Sequence, residues 1–204
     1  MLPILVLGTR NTKKRQELVE ILADLPIDVR DLTAWPEAPE VVEDGDTFEE
    51  NARKKARETA LYLKQWVLAE DSGLVVPGLN GRPGVHSARY AGKQGDDAAN
   101  NARLLAELAP LPEDRRSAYY VCVAALADPQ GEVHGLTEGR CHGIITHHFR
   151  GSGGFGYDPL FLIPEYHRTF GELSPLVKHA LSHRARTLAQ MRPILRRCLL
   201  ATPK

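Results

Sequence analysis

At 204 residues the chain is long enough to bury a core without disulfide or metal staples, and it fits one medium domain or two lobes sharing a core. Its 26 Lys and Arg balance 26 Asp and Glu, so the basic excess of a protein that wraps duplex nucleic acid is missing and no nucleic-acid partner is expected. Cys122, Cys141 and Cys198 form no CxxC, Met1-Leu2-Pro3 lacks a signal peptide's basic region, and no apolar run is long enough to cross a bilayer; a cytoplasmic chain without a membrane partner is expected.

In chain order, Ile4 to Leu7 is a short apolar run ending at Gly8, the pattern of a buried strand. The polar turn Thr9-Arg10-Asn11-Thr12 leads into a helix with Leu18, Ile21 and Leu22 on one face. Residues 31–46, rich in proline and acid, read as a loop. Thr47-Phe48-Glu49-Glu50 is a capping box opening a helix to about Gln65, and Trp66 to Ala69 is a second strand ending in Glu70-Asp71-Ser72-Gly73. Glycine and proline make 77–95 a structured loop, and Asp96 caps a helix through Leu108. Tyr119 to Ala127 is a strand, Asp128-Pro129-Gln130-Gly131 a turn, and 132–149 further strand with a break near Gly143. Gly151 to Gly156 is a glycine loop. Ser174-Pro175 starts a helix that Pro193 kinks or splits. Strands joined by turns as well as helices predict an α/β fold with a mixed sheet, in a single domain over 1–204.

Four stretches carry candidate chemistry. Thr9 to Lys14 sets a hydroxyl, an amide and two lysines at a helix N-terminus, where free amides favour anions; an ordinary polar cap has the same composition. Glu70-Asp71 at a strand end suits a hard cation such as Mg²⁺, and one carboxylate could draw a proton from water; a solvated turn is the other reading. In Gly151 to Pro159, glycines would let backbone approach a ligand while Phe155 and Tyr157 offer faces for a base. His179 and His183 stand four apart, the spacing of a zinc pair, but the glutamate of H-E-x-x-H is replaced by Ala180, so His183-Arg184 reads better as a donor pair for a carbonyl or phosphate oxygen.

The ordered set of Thr9 to Lys14, Thr47 to Ala52 with Lys55, Asp71 to Leu74, Gly81 to Tyr90, Gly154 to Pro159 and Ser182 to Arg184 resembles the inosine/xanthosine triphosphate pyrophosphatase, or Ham1-like, family across almost the whole chain. The resemblance implies an elongated mixed sheet with helical lobes around a nucleotide cleft, a Mg²⁺ requirement and a homodimer. It implies hydrolysis of non-canonical purine nucleoside triphosphates (ITP, dITP, XTP) to the monophosphate and pyrophosphate, which cleanses the nucleotide pool. In the residues it implies Asp71 as proton acceptor and metal ligand, with Glu43 as a second ligand. Phosphates fall to Thr9, Arg10, Asn11, Thr12, Lys13, Lys14, Lys55 and Ser72, and base and sugar to Phe155, Gly156, Tyr157, Asp158, Lys178, His183 and Arg184. The sequence departs from the family pattern at Lys13, where glycine is common, at His179, where asparagine is common, and at Val42, where a second acid would precede Glu43. A pyrophosphatase for modified pyrimidine or methylated nucleotides and a non-hydrolysing nucleotide sensor are the competing readings.

Overall fold

The computed structural model describes residues 1–200. Seven strands form one sheet in the order β2-β1-β3-β4-β5-β6-β7, where β1 is Ile4–Leu7, β2 Asp28–Asp31, β3 Trp66–Val75, β4 Ser117–Ala127, β5 Val133–Ile145, β6 Phe161–Ile163 and β7 Arg168–Thr169. β1 runs parallel to β2 and β3, whereas β5, β6 and β7 pair antiparallel, so the sheet is mixed as the connections predict. The helices are α1 (Thr12–Leu22), α2 (Phe48–Leu63), α3 (Asp97–Leu108), α4 (Pro175–Leu181) and α5 (His183–Leu195).

The chain divides into two compact units. The first holds Met1–Asp71, Cys122–Gly139 and the residues from Arg184 onward; the second holds Ser72–Val121 and Arg140–His183. In the first, Leu5, Leu7 and Leu68 of the strands pack with Leu18 and Leu22 of α1 and with Leu188, Met191 and Leu195 of α5. Burying such a side chain stabilises by about 1.5–3 kcal/mol before entropy is counted. Just after β1, Gly8 lacks a side chain for a steric reason, since a Cβ there would come within 3.0 Å of the Ala69 Cβ. The second unit packs Leu74, Leu104, Leu108, Tyr120, Phe161 and Phe170 around its own core.

Four expectations change. β3 does not end at Ala69 but continues through Glu70, Asp71 and Ser72 to Val75, because both acids find buried partners and the ladder need not stop for them. β5 runs unbroken through Gly143, where a Cβ would come within 2.5 Å of the Leu162 carbonyl oxygen; the glycine admits a neighbouring strand and does not mark a break. The helix from Pro175 ends at Ser182, whose ψ of 151° is extended, and Pro193 sits inside α5. β2, β6 and β7 are too short to carry a readable period. Among the described residues no helix is long and apolar enough to cross a membrane.

Candidate active site

In the first unit the turn after β1 is built by its own side chains. Thr9 Oγ1 accepts from the Asn11 amide at 3.2 Å, and Asn11 caps α1 by accepting from the Lys13 and Lys14 amides at 3.0 and 3.1 Å. Arg10 donates to the Ala38 carbonyl at 2.6 Å, while Thr12 and Lys13 are exposed on the first turn of α1. The cap thus satisfies two of the amides that a helix start offers to anions.

Consecutive strand residues face opposite sides, and this separates the two acids of β3. Glu70 meets Lys14 Nζ at 3.0 Å, Arg184 at 3.6 Å and the Cys122 thiol, which donates at 3.4 Å. Asp71 meets α2: Asn51 donates to Oδ2 at 3.1 Å and Lys55 Nζ lies 3.6 Å from Oδ1. Glu43 pairs with the same ammonium at 3.0 Å. The two carboxyls are shifted in opposite directions. Burial would push Glu70 up, but Lys14, Arg184 and Lys55 outweigh it and hold it well below the usual carboxylate range. Burial dominates at Asp71 and raises it; Lys55 and Lys14 pull it back only in part, and Glu43 and Glu70 push the same way as burial. Lys14 is itself raised: burial and the nearby Arg184 lower it, but the carboxylates of Glu70 and Asp71 together outweigh them. A buried carboxyl lifted above its ordinary value is a stronger base than a free one, which suits it to draw a proton from water.

The oxygen-only donors Asp71 and Glu43 fit a hard cation that keeps waters and takes its remaining ligands from phosphates. Among the described residues they are not part of a three-ligand group. Among the described residues the group of three whose ligand atoms lie within 4.8 Å of one another is Asp128, Glu132 and His134, in the turn after β4.

In the second unit the glycine loop is tied down at every residue from Phe155 to Asp158. The Phe155 amide donates to Asp158 Oδ2 at 2.8 Å, and Lys178 Nζ donates to the same oxygen at 2.7 Å. The Gly156 amide donates to Asp97 at 2.9 Å, and Asn101 donates to the Gly156 carbonyl at 2.8 Å. Lys178 Nζ also stands 4.7 Å from the centre of the half-buried Phe155 ring. Tyr157 is placed otherwise than expected: it is 4% exposed within the core, its hydroxyl donating to the Ser87 carbonyl at 2.8 Å, so the Phe155 ring is the loop's accessible aromatic face. The His183 ring stacks on Tyr120 at 4.8 Å, and Tyr120 donates to Asp158 at 3.3 Å. Ser72 is half-buried on β3 at the start of this unit.

Two placements differ from the local reading of the sequence. His179 and His183 do not share a helix, because the chain turns extended at Ser182 and His183 begins α5, so the zinc spacing does not apply. Arg184 belongs with the acids of the first unit: 2% exposed, it pairs with Glu17 of α1 as well as with Glu70. Glu17, Asn51, Asp97, Asn101 and Tyr120 were absent from the expected site. Asn51 left a usable signal, a helix-interior asparagine four residues before Lys55. Glu17 left little, since a glutamate beside Leu18 reads as a solvated flank of an apolar face.

Fold and site together define a mixed α/β protein with a buried carboxylate–lysine centre in one unit and an anchored glycine–aromatic loop in the other. The chain belongs to the Ham1 family, whose sequence model matches residues 5–194. It is 55% identical over 193 residues to the dITP/XTP pyrophosphatase of Rhodopirellula baltica, covering 95% of this chain and 93% of that one. It is 48% identical to the protein of the same name from Desulforamulus reducens, covering 95% and 96%. A Ham1 protein of Coxiella burnetii superposes with a TM-score of 0.88 at 40% identity, over 97% of this chain and all of that one. The nucleoside-triphosphatase / dITP/XTP pyrophosphatase of Mycobacterium abscessus does so with a TM-score of 0.77 at 45% identity, over 93% and 99%.

Proposed function

We propose that the protein hydrolyses non-canonical purine nucleoside triphosphates, ITP, dITP and XTP, to the monophosphate and pyrophosphate, and so clears them from the nucleotide pool. The observation that carries this reading is Asp71, a buried carboxyl held by Lys55 and Asn51 and raised from its ordinary value by burial. The names of the relatives support it. In the proposed reaction a water oxygen attacks the α-phosphorus, Asp71 takes the water's proton, and the bond to the α–β bridging oxygen breaks with its electron pair leaving on pyrophosphate. Lys14 and Lys55, with the turn of Thr9, Arg10, Asn11, Thr12 and Lys13, hold charge on the leaving phosphates. Ser72, next to Asp71 in the chain, is assigned to the same phosphates. Mg²⁺, held by Asp71 and Glu43, would supply charge neutralisation on those phosphates.

The base-holding part of the reading rests on the second unit, where Phe155 offers a face for stacking and Lys178 a cation, on a loop fixed through Gly156, Tyr157 and Asp158, with His183 on Tyr120. An oxo purine presents an acceptor at O6 and adenine a donor, so a fixed donor favours the first. A buried donor left facing an amino group costs about 1–3 kcal/mol. Arg184 enters as the organiser of Glu17 and Glu70. A homodimer in the cytoplasm completes the proposal, and sedimentation equilibrium tests the dimer.

The deciding experiment is a triphosphate panel with Mg²⁺ that reads pyrophosphate and orthophosphate separately. One pyrophosphate per turnover, with inosine and xanthosine forms far ahead of adenosine triphosphate, is expected. Orthophosphate release, or modified pyrimidines as the best substrates, would overturn it.

A further inference from the structure

Asn51 and Lys55 lie four residues apart on α2 and project from one helix face. That face is buried, Asn51 at 1% exposure and Lys55 at 8%. Between them the two side chains address the two oxygens of one carboxylate: the neutral amide donates to Asp71 Oδ2 at 3.1 Å, and the ammonium stands 3.6 Å from Oδ1. Asn51 has a second engagement. Its Oδ1 accepts from the Gly45 amide at 2.9 Å and its Nδ2 reaches the Gly45 carbonyl at 3.4 Å. Gly45 belongs to the loop that carries Glu43, the other carboxylate on Lys55. The loop is pressed onto the amide, since a Cβ on Gly45 would come 2.9 Å from Asn51 Oδ1 and 2.8 Å from the Glu50 Cβ.

We propose that Asn51 is a positioning residue that fixes the rotation of the Asp71 carboxylate and ties it to the Glu43 loop. The proposal rests on Asp71 as the proton acceptor of the proposed function. The residue type is specific to the task. Only a side chain with a donor and an acceptor can serve Asp71 and the Gly45 amide together. A carboxylate in its place would face Asp71 with like charge, and an apolar side chain would remove this bond from the buried Asp71 carboxylate and from the half-buried Gly45 amide. Asn51 touches no reacting atom. Its contribution is that Asp71 starts each turnover already aimed.

The test is Asn51→Ala in the full chain, with inosine triphosphate and Mg²⁺. A misaimed base should lower kcat about 10- to 100-fold. KM should rise by less than kcat falls, because the lysines and the turn that hold phosphates are untouched and the Asp71 and Glu43 carboxylates remain for the cation. In the Asp71→Asn background the same change should remove almost nothing further, since there is no base left to aim. A purely structural asparagine would instead cost the same factor in both backgrounds, and that additive result, or an unchanged kcat, overturns the proposal. Asn51→Ser, which keeps a small polar group, serves the same cycle if the alanine variant does not fold. A crystal of the variant without substrate gives a reading independent of turnover: a rotated Asp71 carboxylate is expected, and an unrotated one overturns the proposal. If the wild-type protein fails to hydrolyse inosine triphosphate, the proposed function falls, and the orientation of Asp71 alone decides the role of Asn51.

Discussion

Glu70 and Asp71 are adjacent in sequence, both buried and both acidic, yet strand alternation hands one to Lys14 and Arg184 and the other to α2. Glu70 is held well below its ordinary value and Asp71 is raised, which is why the base role is proposed for Asp71 and not for Glu70. Arg184 is the hinge of this assignment, since it serves Glu70 and Glu17 at 2% exposure. Arg184→Ala would leave both acids short of a cation, and breaking a buried pair this way costs about 3–5 kcal/mol. The pH dependence has a definite sign. A carboxyl depressed in the folded state adds stability above its unfolded pKa, and that stability is lost as pH falls through the folded value. Without Arg184 the depression of Glu70 shrinks, so the variant should begin acid unfolding at higher pH than the wild type. Urea titrations at several pH values measure both effects, and a variant as acid-resistant as the wild type would show that Lys14 and Lys55 hold Glu70 down without Arg184. From sequence, the pair Glu70-Asp71 was visible as chemistry and the family resemblance pointed to Asp71, but the residues alone did not separate the two acids, because their partners Lys14, Asn51 and Arg184 lie at long chain separations.

At the scale of elements, the loop from Gly151 to Asp158 shows how far local composition carries and where it stops. Its glycines marked it as unsuited to a core, and Phe155 is indeed half-buried on it. Tyr157 went the other way because its partner, the Ser87 carbonyl, is 70 residues distant, beyond the reach of any local pattern. The end of α4 was missed for a different reason: Ser182 donates its amide back to Lys178, a wholly local contact, and turns extended without a glycine or proline to mark it, whereas Pro193, the stronger signal in sequence, is absorbed inside α5. The capping box at Thr47 and Glu50, a wholly local device, was legible in full. Two glycines of the loop make a matched test. Both have positive φ, 74° at Gly154 and 61° at Gly156, but a Cβ at Gly154 would come within 2.0 Å of Asp158 Oδ2 and one at Gly156 meets nothing within 4 Å. Gly156→Ala therefore bears only left-handed backbone strain, about 1–2 kcal/mol. Gly154→Ala bears comparable strain and also drives Asp158 away from the Phe155 amide and from Lys178. The Gly154 variant should raise KM for inosine triphosphate clearly more than the Gly156 variant does. Equal effects would mean that Asp158 does not set the loop's geometry.

For the molecule as a whole, 26 cations and 26 acids give no net charge, so nothing long-ranged draws in an anionic substrate and the local balance has to decide. In the ion-paired centre of the first unit that balance is unfavourable. Lys14, Lys55 and Arg184 stand against Glu17, Glu43, Glu70 and Asp71, three cations against four carboxylates, which formally leaves one negative charge in excess. A triphosphate brought to such a centre meets repulsion that the exposed Lys13 and the α1 N-terminus offset only in part. A divalent cation on Asp71 and Glu43 would reverse the sign, which is the physical reason for proposing Mg²⁺ here. The consequence can be measured by calorimetry with a non-hydrolysable inosine triphosphate analogue. With chelator present, wild-type affinity should fall by at least about tenfold, because unlike charges become like charges at short range. Asp71→Asn inverts the comparison: it removes one negative charge and one metal ligand together. Without metal it should bind the analogue more tightly than the wild type does, by about tenfold for each 1.4 kcal/mol of repulsion relieved. With metal its advantage should shrink or reverse, and its turnover should fall at least about 100-fold with the loss of the base. If chelation left wild-type affinity unchanged, the lysines would be carrying the phosphates alone, and Asp71 would lose its place as a metal ligand while keeping its place as the base.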